Sequence, residues 1–215
     1  MHYNPDNFLV VTLSNLFDAM VTTLYFVLCS LPVFTFGAAA TACCSTMMAI
    51  ARGECTGVTK RFFGTFRREF KLSTKGWMAL LAVAAVLGLN IWICWGWAQE
   101  ETTFVTILRL LTGGLCVLWA CIATYMFAGI ARFEVTLKQA VINALLFTGR
   151  NLIWTLALIA ITAVIVLFCL GASILALPLM MVGLYVQGVL YNKVFKPYIP
   201  TEEEEEGAEE ESATE

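Results

Sequence analysis

The chain carries few charged side chains and a single histidine, and both shortages narrow the classes of protein it can belong to. Only 13% of its 215 residues are Asp, Glu, Lys or Arg, whereas 60% are hydrophobic. Because soluble domains carry about 25% charged residues, the composition excludes an ordinary soluble protein. His2 is the only histidine and precedes every apolar run, which excludes Ser/His and Cys/His catalytic pairs within those runs.

Metal-binding and redox motifs are also missing. The eight cysteines include no Cys-x-x-Cys pair, and all except Cys55 lie inside apolar runs. We therefore expect them to act as small apolar side chains rather than as metal ligands. No pair of carboxylates lies at helical spacing within an apolar run. The sequence predicts no metal, no cofactor and no enzymatic activity.

Long apolar runs are what the chain does contain, and they predict an all-α, polytopic membrane bundle of about six helices arranged as hairpins. The run from residue 8 to 51 would make a helix of about 66 Å, too long for one crossing. Pro32 and Gly37 interrupt it, although whether it crosses once or twice stays open. The predicted spans are roughly 8–30, 37–52, 76–98, 104–127, 152–170 and 174–191.

The basic residues show which side of the membrane each loop faces. Twelve of the thirteen Lys and Arg residues fall in Arg52–Lys75, Arg132–Arg150 and Lys193–Lys196. Cytoplasmic loops carry an excess of Lys and Arg, so these three segments are predicted to be cytoplasmic. The turn with Glu100 and Glu101 then faces outward. We expect a multi-pass protein of the cytoplasmic (inner) membrane with both termini in the cytoplasm.

A strongly amphipathic segment, Val58–Lys75, precedes the third span. On a helical wheel its apolar side holds Phe62, Phe63, Phe66 and Phe70. The opposite side holds Lys60, Arg61, Arg67, Arg68, Lys71 and Lys75. This pattern predicts a helix lying in the cytoplasmic headgroup layer, either as an orienting anchor or as a binding surface for a lipid, a partner or a phosphorylated ligand. A weaker amphipathic stretch covers residues 131–150.

The C-terminal segment has a different composition from the rest of the chain. Thr201–Glu215 holds nine glutamates and no large apolar residue, which predicts a disordered acidic tail. Residues 1–200 carry thirteen bases and seven acids and form the predicted membrane domain. The tail either solvates the protein or folds back on the basic helix.

Six polar residues are the candidate site residues. Asp18 and the cations Arg67, Arg68 and Lys71 are predicted near one cytoplasmic surface, where headgroups or another subunit could dock. Asn90 and Gln187 are predicted to make hydrogen bonds between membrane helices.

Two motifs resemble those of the YesL-like family of bacterial integral membrane proteins. The first is Leu31–Ala42 and the second is Phe62–Thr74, and Asp18 matches an acidic position that commonly precedes the first span. The chain differs from the family pattern at Leu72-Ser73, where members often have Gln-Ala, and at Thr22 and Thr23. The resemblance implies a membrane protein without established biochemical activity. Family members tend to be encoded among carbohydrate-uptake and carbohydrate-sensing systems, which implies an accessory part in carbohydrate utilisation.

Three hypotheses of function follow. The chain is a non-enzymatic accessory or scaffold subunit of a carbohydrate transporter or sensor, an oligomeric small-solute transporter or channel, or a lipid-surface module that uses its basic helix. The scarcity of polar residues in the spans favours the first and third. The expected partners are the bilayer, its anionic lipid headgroups and a transporter or sensor subunit. A homo-oligomer stays open, and no nucleic-acid partner is expected.

Overall fold

The computed structural model describes residues 8–55, 57–96, 103–133, 135–171 and 176–198. Within these ranges the chain forms seven α-helices, two short 3-10 helices and no β-strand. The α-helices are α1 Phe8–Ser30, α2 Phe36–Arg52, α3 Val58–Gly96, α4 Thr103–Arg132, α5 Leu137–Arg150, α6 Leu152–Leu170 and α7 Ala176–Phe195. The predicted all-α helical bundle is confirmed.

Five of the helices are long and apolar enough to cross a membrane: α1, α2, α3, α4 and α6. The chain is therefore built as a multi-pass membrane protein. The sixth predicted span corresponds to α7, which does not meet the same measure of apolarity in the described residues. It packs against α6 as the second helix of the predicted hairpin.

The main difference from the predicted elements concerns α3. The expected boundary near residue 75 is wrong, because α3 runs without a break from Val58 to Gly96. It contains no proline, and Gly76 at the expected boundary is not enough to end a helix. Since an unbroken helix continues along one axis, residues 58–75 extend the apolar half instead of forming a separate helix in the headgroup layer. At about 1.5 Å per residue, α3 is about 58 Å long.

The buried centre of the bundle is α2, which packs against α1, α3, α4 and α7. Its backbone comes close to two of these neighbours at glycines. A Cβ at Gly37 would lie 2.5 Å from the Ser73 carbonyl oxygen of α3. On α7, a Cβ at Gly188 would lie 2.9 Å from the Met47 backbone of α2. Hydroxyl groups add a buried contact, because Thr41 Oγ1 and Ser73 Oγ lie 2.8 Å apart.

The other boundaries follow from local sequence. The helix α4 continues five residues beyond its predicted end, to Arg132. The predicted stretch 131–150 divides between the end of α4 and α5, because Thr136 and Gln139 form a capping box that starts a new helix at Leu137. The bounds of α6 coincide with those predicted. The acidic turn at Glu100 and Glu101 and the tail 201–215 lie outside the described residues.

Candidate functional site

A cationic cavity of about 550 Å³ lies where α2 and α4 end and α3 begins. The end of α2 contributes Ser45, Met48 and Arg52, and the end of α4 with the next residue contributes Ile130, Ala131, Arg132 and Phe133. The remaining lining residues precede or belong to the first three turns of α3: Gly57, Lys60, Arg61, Gly64, Thr65 and Arg68. Residues 80 positions apart in the sequence therefore share one site.

Two of the five cations of the cavity are held by carboxylates. Arg52 Nε donates to Glu54 Oε2 at 2.7 Å, and Arg52 Nη1 donates to Asn192 Oδ1 of α7, also at 2.7 Å. Arg68 Nε donates to Glu69 Oε1 at 2.7 Å. These bonds use part of the hydrogen-bonding capacity of both guanidinium groups and orient them.

The other three cations have no such partner among the described residues. Arg61 is half-buried, and its Nε is shielded from solvent without a hydrogen-bond acceptor. Arg132 is also half-buried, and the positive charges of Arg52 and Arg61 and the negative charge of Glu54 all act on it. Lys60 is exposed. A buried donor without a partner costs free energy, and neighbouring like charges add to that cost.

Neutral donors supplement the cations. The hydroxyl groups of Ser45 and Thr65 line the cavity and lie 3.4 Å apart. Gly57 marks the start of α3, since the Arg61 amide donates to its carbonyl oxygen at 3.1 Å. The first turn of α3 contains no acidic residue, so the positive end of its dipole is not neutralised within the turn. Taken together, the cavity favours an anion.

The cations predicted from the sequence lie on the adjoining surface of α3. Arg67 and Lys71 are exposed and, with Arg68, Phe66 and Phe70, they line a shallow depression of about 450 Å³. Arg68 lines both this depression and the cavity. We call Arg67, Arg68 and Lys71 the basic surface.

Asp18 is half-buried on α1, and no ion pair between described residues involves it. Its carbonyl oxygen accepts a hydrogen bond from Thr22 Oγ1 at 2.8 Å. The structure therefore shows no ion pair between Asp18 and the basic surface. Thr22 and Thr23, which depart from the family pattern, both bond to carbonyl groups of their own helix.

Asn90 and Gln187 lie in contacts between helices. Thr112 Oγ1 of α4 donates to Asn90 Oδ1 of α3 at 2.9 Å. Gln187 Nε2 of α7 donates to Thr162 Oγ1 of α6 at 2.8 Å. Each amide thus has a hydroxyl partner on a neighbouring helix.

Sequence reasoning did not single out Arg52, Arg61 or Arg132 as site residues. Arg61 was assigned to the cationic side of the amphipathic segment, and the other two were used only to assign topology. A local signal did exist, since Arg52 and Arg132 each occupy the last turn of an apolar helix. Only the packing of α2, α3 and α4 reveals that these ends meet. Among the described residues, no group of three or more His, Cys, Asp or Glu side chains could hold a metal ion.

These features define the class of protein: an all-helical, multi-pass membrane protein with a cationic cavity at one end of its buried central helix. Residues 19–91 match the model of a family described as a protein of unknown function, DUF624. The matched region contains both sequence motifs, α2 and most of α3, so the expected family resemblance is confirmed over these residues. The match is consistent with the YesL-like family. The comparisons with curated proteins and with solved structures give no match.

Proposed function

We propose that the protein is a non-enzymatic adaptor of the cytoplasmic membrane that docks a partner subunit on the basic surface of α3. The observation that carries this proposal is the unbroken α3 helix. Residues 76–96 suffice to cross the hydrocarbon core, which takes about 20 residues. Residues 58–75 continue the same helix beside α2 and leave Arg67 and Lys71 exposed, where a partner can contact them.

The distribution of charge supports a cytoplasmic location for this surface. The cationic ends of α2, α3 and α4 meet at the cavity, and basic segments favour the cytoplasmic side. The link to carbohydrate uptake or sensing rests on the family resemblance, because family members tend to be encoded among such systems. The proposed partner is accordingly a transporter or sensor subunit with an acidic surface patch.

The contacts inside the bundle favour an adaptor over an oligomeric transporter. The amides of Asn90 and Gln187, which were the candidates for a polar pathway, are each already bonded to a threonine hydroxyl. Substrate pathways need several polar groups that converge on an open space. The described parts of the spans hold no such convergence, whereas the cationic groups gather at one end of the bundle.

Affinity capture, with the full-length protein as bait and carbohydrate transporter and sensor subunits of the same membrane as candidate partners, tests this proposal. We expect the double variant Arg67→Gln/Lys71→Gln to lower the captured amount about tenfold, because each exposed charge guides and holds the partner. Thermal stability should be unchanged, since both side chains are exposed. The matched control is Arg109→Gln, which removes an exposed arginine from the opposite end of α4.

Flux measurements with the purified protein in liposomes test the alternative function, an oligomeric small-solute transporter. The adaptor proposal predicts no sugar flux from the protein alone. Robust flux that Asn90→Leu or Gln187→Leu abolishes would replace the adaptor with the transporter.

A further inference from the structure

The cationic cavity lies between three helices and holds more positive charge than its described neighbours neutralise. Glu54 and Glu69 form ion pairs with Arg52 and Arg68, and Lys60, Arg61 and Arg132 form none among the described residues. The charge of Glu54 also acts on Arg132, but one carboxylate does not neutralise both guanidinium groups. Two half-buried guanidinium groups at one site repel each other. An anion bound between them neutralises the repulsion. It also accepts the hydrogen bond for which Arg61 Nε has no acceptor.

We infer that this cavity binds a phosphate group, with Arg61 and Arg132 as its principal ligands and Lys60 at the entrance. Guanidinium groups bind phosphate through paired N–H donors, and a phosphate offers oxygens to more than one of them at once. Ser45, Thr65 and the start of α3 supply the neutral donors that helix termini and hydroxyl groups provide in phosphate sites.

The size of the cavity limits the ligand. A volume of about 550 Å³ falls within the range of about 300–1,000 Å³ that small-molecule pockets occupy. It holds a phosphate together with a sugar or glycerol portion but no folded partner and no duplex nucleic acid. The shared chemistry is a phosphomonoester, which reaches the site as a soluble ligand or as the headgroup of a lipid such as phosphatidic acid.

This inference goes beyond the adaptor proposal, because it requires no partner protein and its principal ligands, Arg61 and Arg132, lie outside the basic surface. The Arg67→Gln/Lys71→Gln variant should lose docking and keep phosphate binding. The Arg61→Gln variant should lose phosphate binding. Failure of either proposal can therefore be told from failure of the other.

The test measures ligand binding by the full-length protein in nanodiscs of phosphatidylcholine, with inorganic phosphate as the probe and isothermal titration and the thermal midpoint as readouts. We expect saturable binding and a raised midpoint, because a ligand that binds the native state stabilises it. Arg61→Gln and Arg132→Gln should each raise Kd about tenfold or more, the loss expected for a charged hydrogen bond. The control Arg67→Gln/Lys71→Gln should bind phosphate as the unmodified chain does.

Further variants separate a binding role from a folding role. Arg61→Lys keeps the charge but lacks the paired donors, so its Kd should lie between those of the unmodified chain and Arg61→Gln. Without ligand, Arg61→Gln should unfold at the same or a higher temperature, because it relieves repulsion. A large fall in the ligand-free midpoint would assign Arg61 to folding and overturn the inference.

Two more arms identify the source of the phosphate group. Nanodiscs that contain phosphatidic acid, compared with ones that contain the phosphodiester lipid phosphatidylglycerol, report on a headgroup ligand. If phosphatidic acid raises the midpoint and competes with free phosphate, the ligand is a lipid; if only free phosphate acts, it is soluble. Both results support the inference, whereas absence of saturable binding in every arm overturns it.

The acidic tail is the competing occupant. Replacing Glu202–Glu206 with glutamine in the full-length chain removes five of its negative charges. Unchanged phosphate affinity in this variant supports a ligand site that is open in the native chain. If phosphate binds only after the replacement, the cavity is the seat of the tail, and the inference is wrong.

Discussion

Two apolar helices of similar length, α2 and α6, owe their apolarity to different surroundings. In α2, 72% of the apolar window is buried inside the protein, whereas in α6 the share is 11%. The side chains of α2 meet four other helices, and most of those of α6 face outward. An apolar helix in this chain is therefore either part of the protein core or a surface for lipid, and hydropathy alone does not separate the two.

Side-chain size does separate them. From Gly37 to Thr46, α2 contains only Gly, Ala, Thr, Cys and Ser. Small side chains let helix backbones approach closely, which is how helices associate where lipid removes the hydrophobic driving force. By contrast, α6 is rich in Leu, Ile and Val, which contact acyl chains as favourably as they contact protein. Composition therefore predicts which apolar helix is central.

The largest expected effect comes from cutting a large side chain in the core. Met47→Ala on α2 should lower the free energy of unfolding by about 2–5 kcal/mol, because Met47 is fully buried and its removal leaves a cavity. Leu156→Ala on α6 should cost less than about 0.5 kcal/mol, because Leu156 is 69% exposed and lipid fills the space. Detergent-denaturant titration of both variants measures the difference. Equal losses would show that α6 is as enclosed as α2.

A smaller loss is expected from adding one methyl group at the closest approach of α2 and α3. Gly37→Ala should cost about 1–3 kcal/mol, because the new Cβ would lie 2.5 Å from the Ser73 carbonyl oxygen and 2.7 Å from Trp77 Cβ. Gly88→Ala, in the apolar half of α3, meets no atom within 4 Å. It should be neutral or stabilising by up to about 1 kcal/mol through helix propensity. The same titration checks both, and a neutral Gly37→Ala would mean that the two helices are less tightly packed.

The smallest effect concerns the hydrogen bond that ties α6 to α7. A double-mutant cycle with Gln187→Leu and Thr162→Val should give a coupling free energy of about 0.6 kcal/mol, the average for such bonds in membrane proteins. The structural basis is the 2.8 Å bond between Gln187 Nε2 and Thr162 Oγ1. A coupling several times larger would show that α6 depends on this polar contact rather than on lipid.

The sequence predicted the ends of a helix well where the apolar run ends at the same residue as the helix. The bounds of α6 are an example, since Asn151 precedes the apolar run and Gly171 follows it. Prediction failed at α3, because the pattern changes from amphipathic to uniformly apolar near Lys75 while the backbone continues. That change in pattern marks a change of environment along one helix, and no new helix starts there.

The candidate site could be predicted only in part, for a related reason. The exposed cations Arg67 and Lys71 follow from a helical wheel, because their periodicity is local. Arg52, Arg61 and Arg132 converge through the packing of three helices, and no periodic pattern links positions so far apart. The close contact of α2 with α3 at Gly37 depends on backbone distances that the sequence does not state.

The unbroken α3 also has a mechanical consequence. Its first half is joined to α2 by the pair of hydroxyl groups on Thr41 and Ser73, and its second half is joined to α4 by Asn90 and Thr112. The tight contact at Gly37 involves Ser73 and Trp77, where the two halves meet. Because both halves belong to one unbroken helix, a shift of either half along the helix axis moves the other half with it.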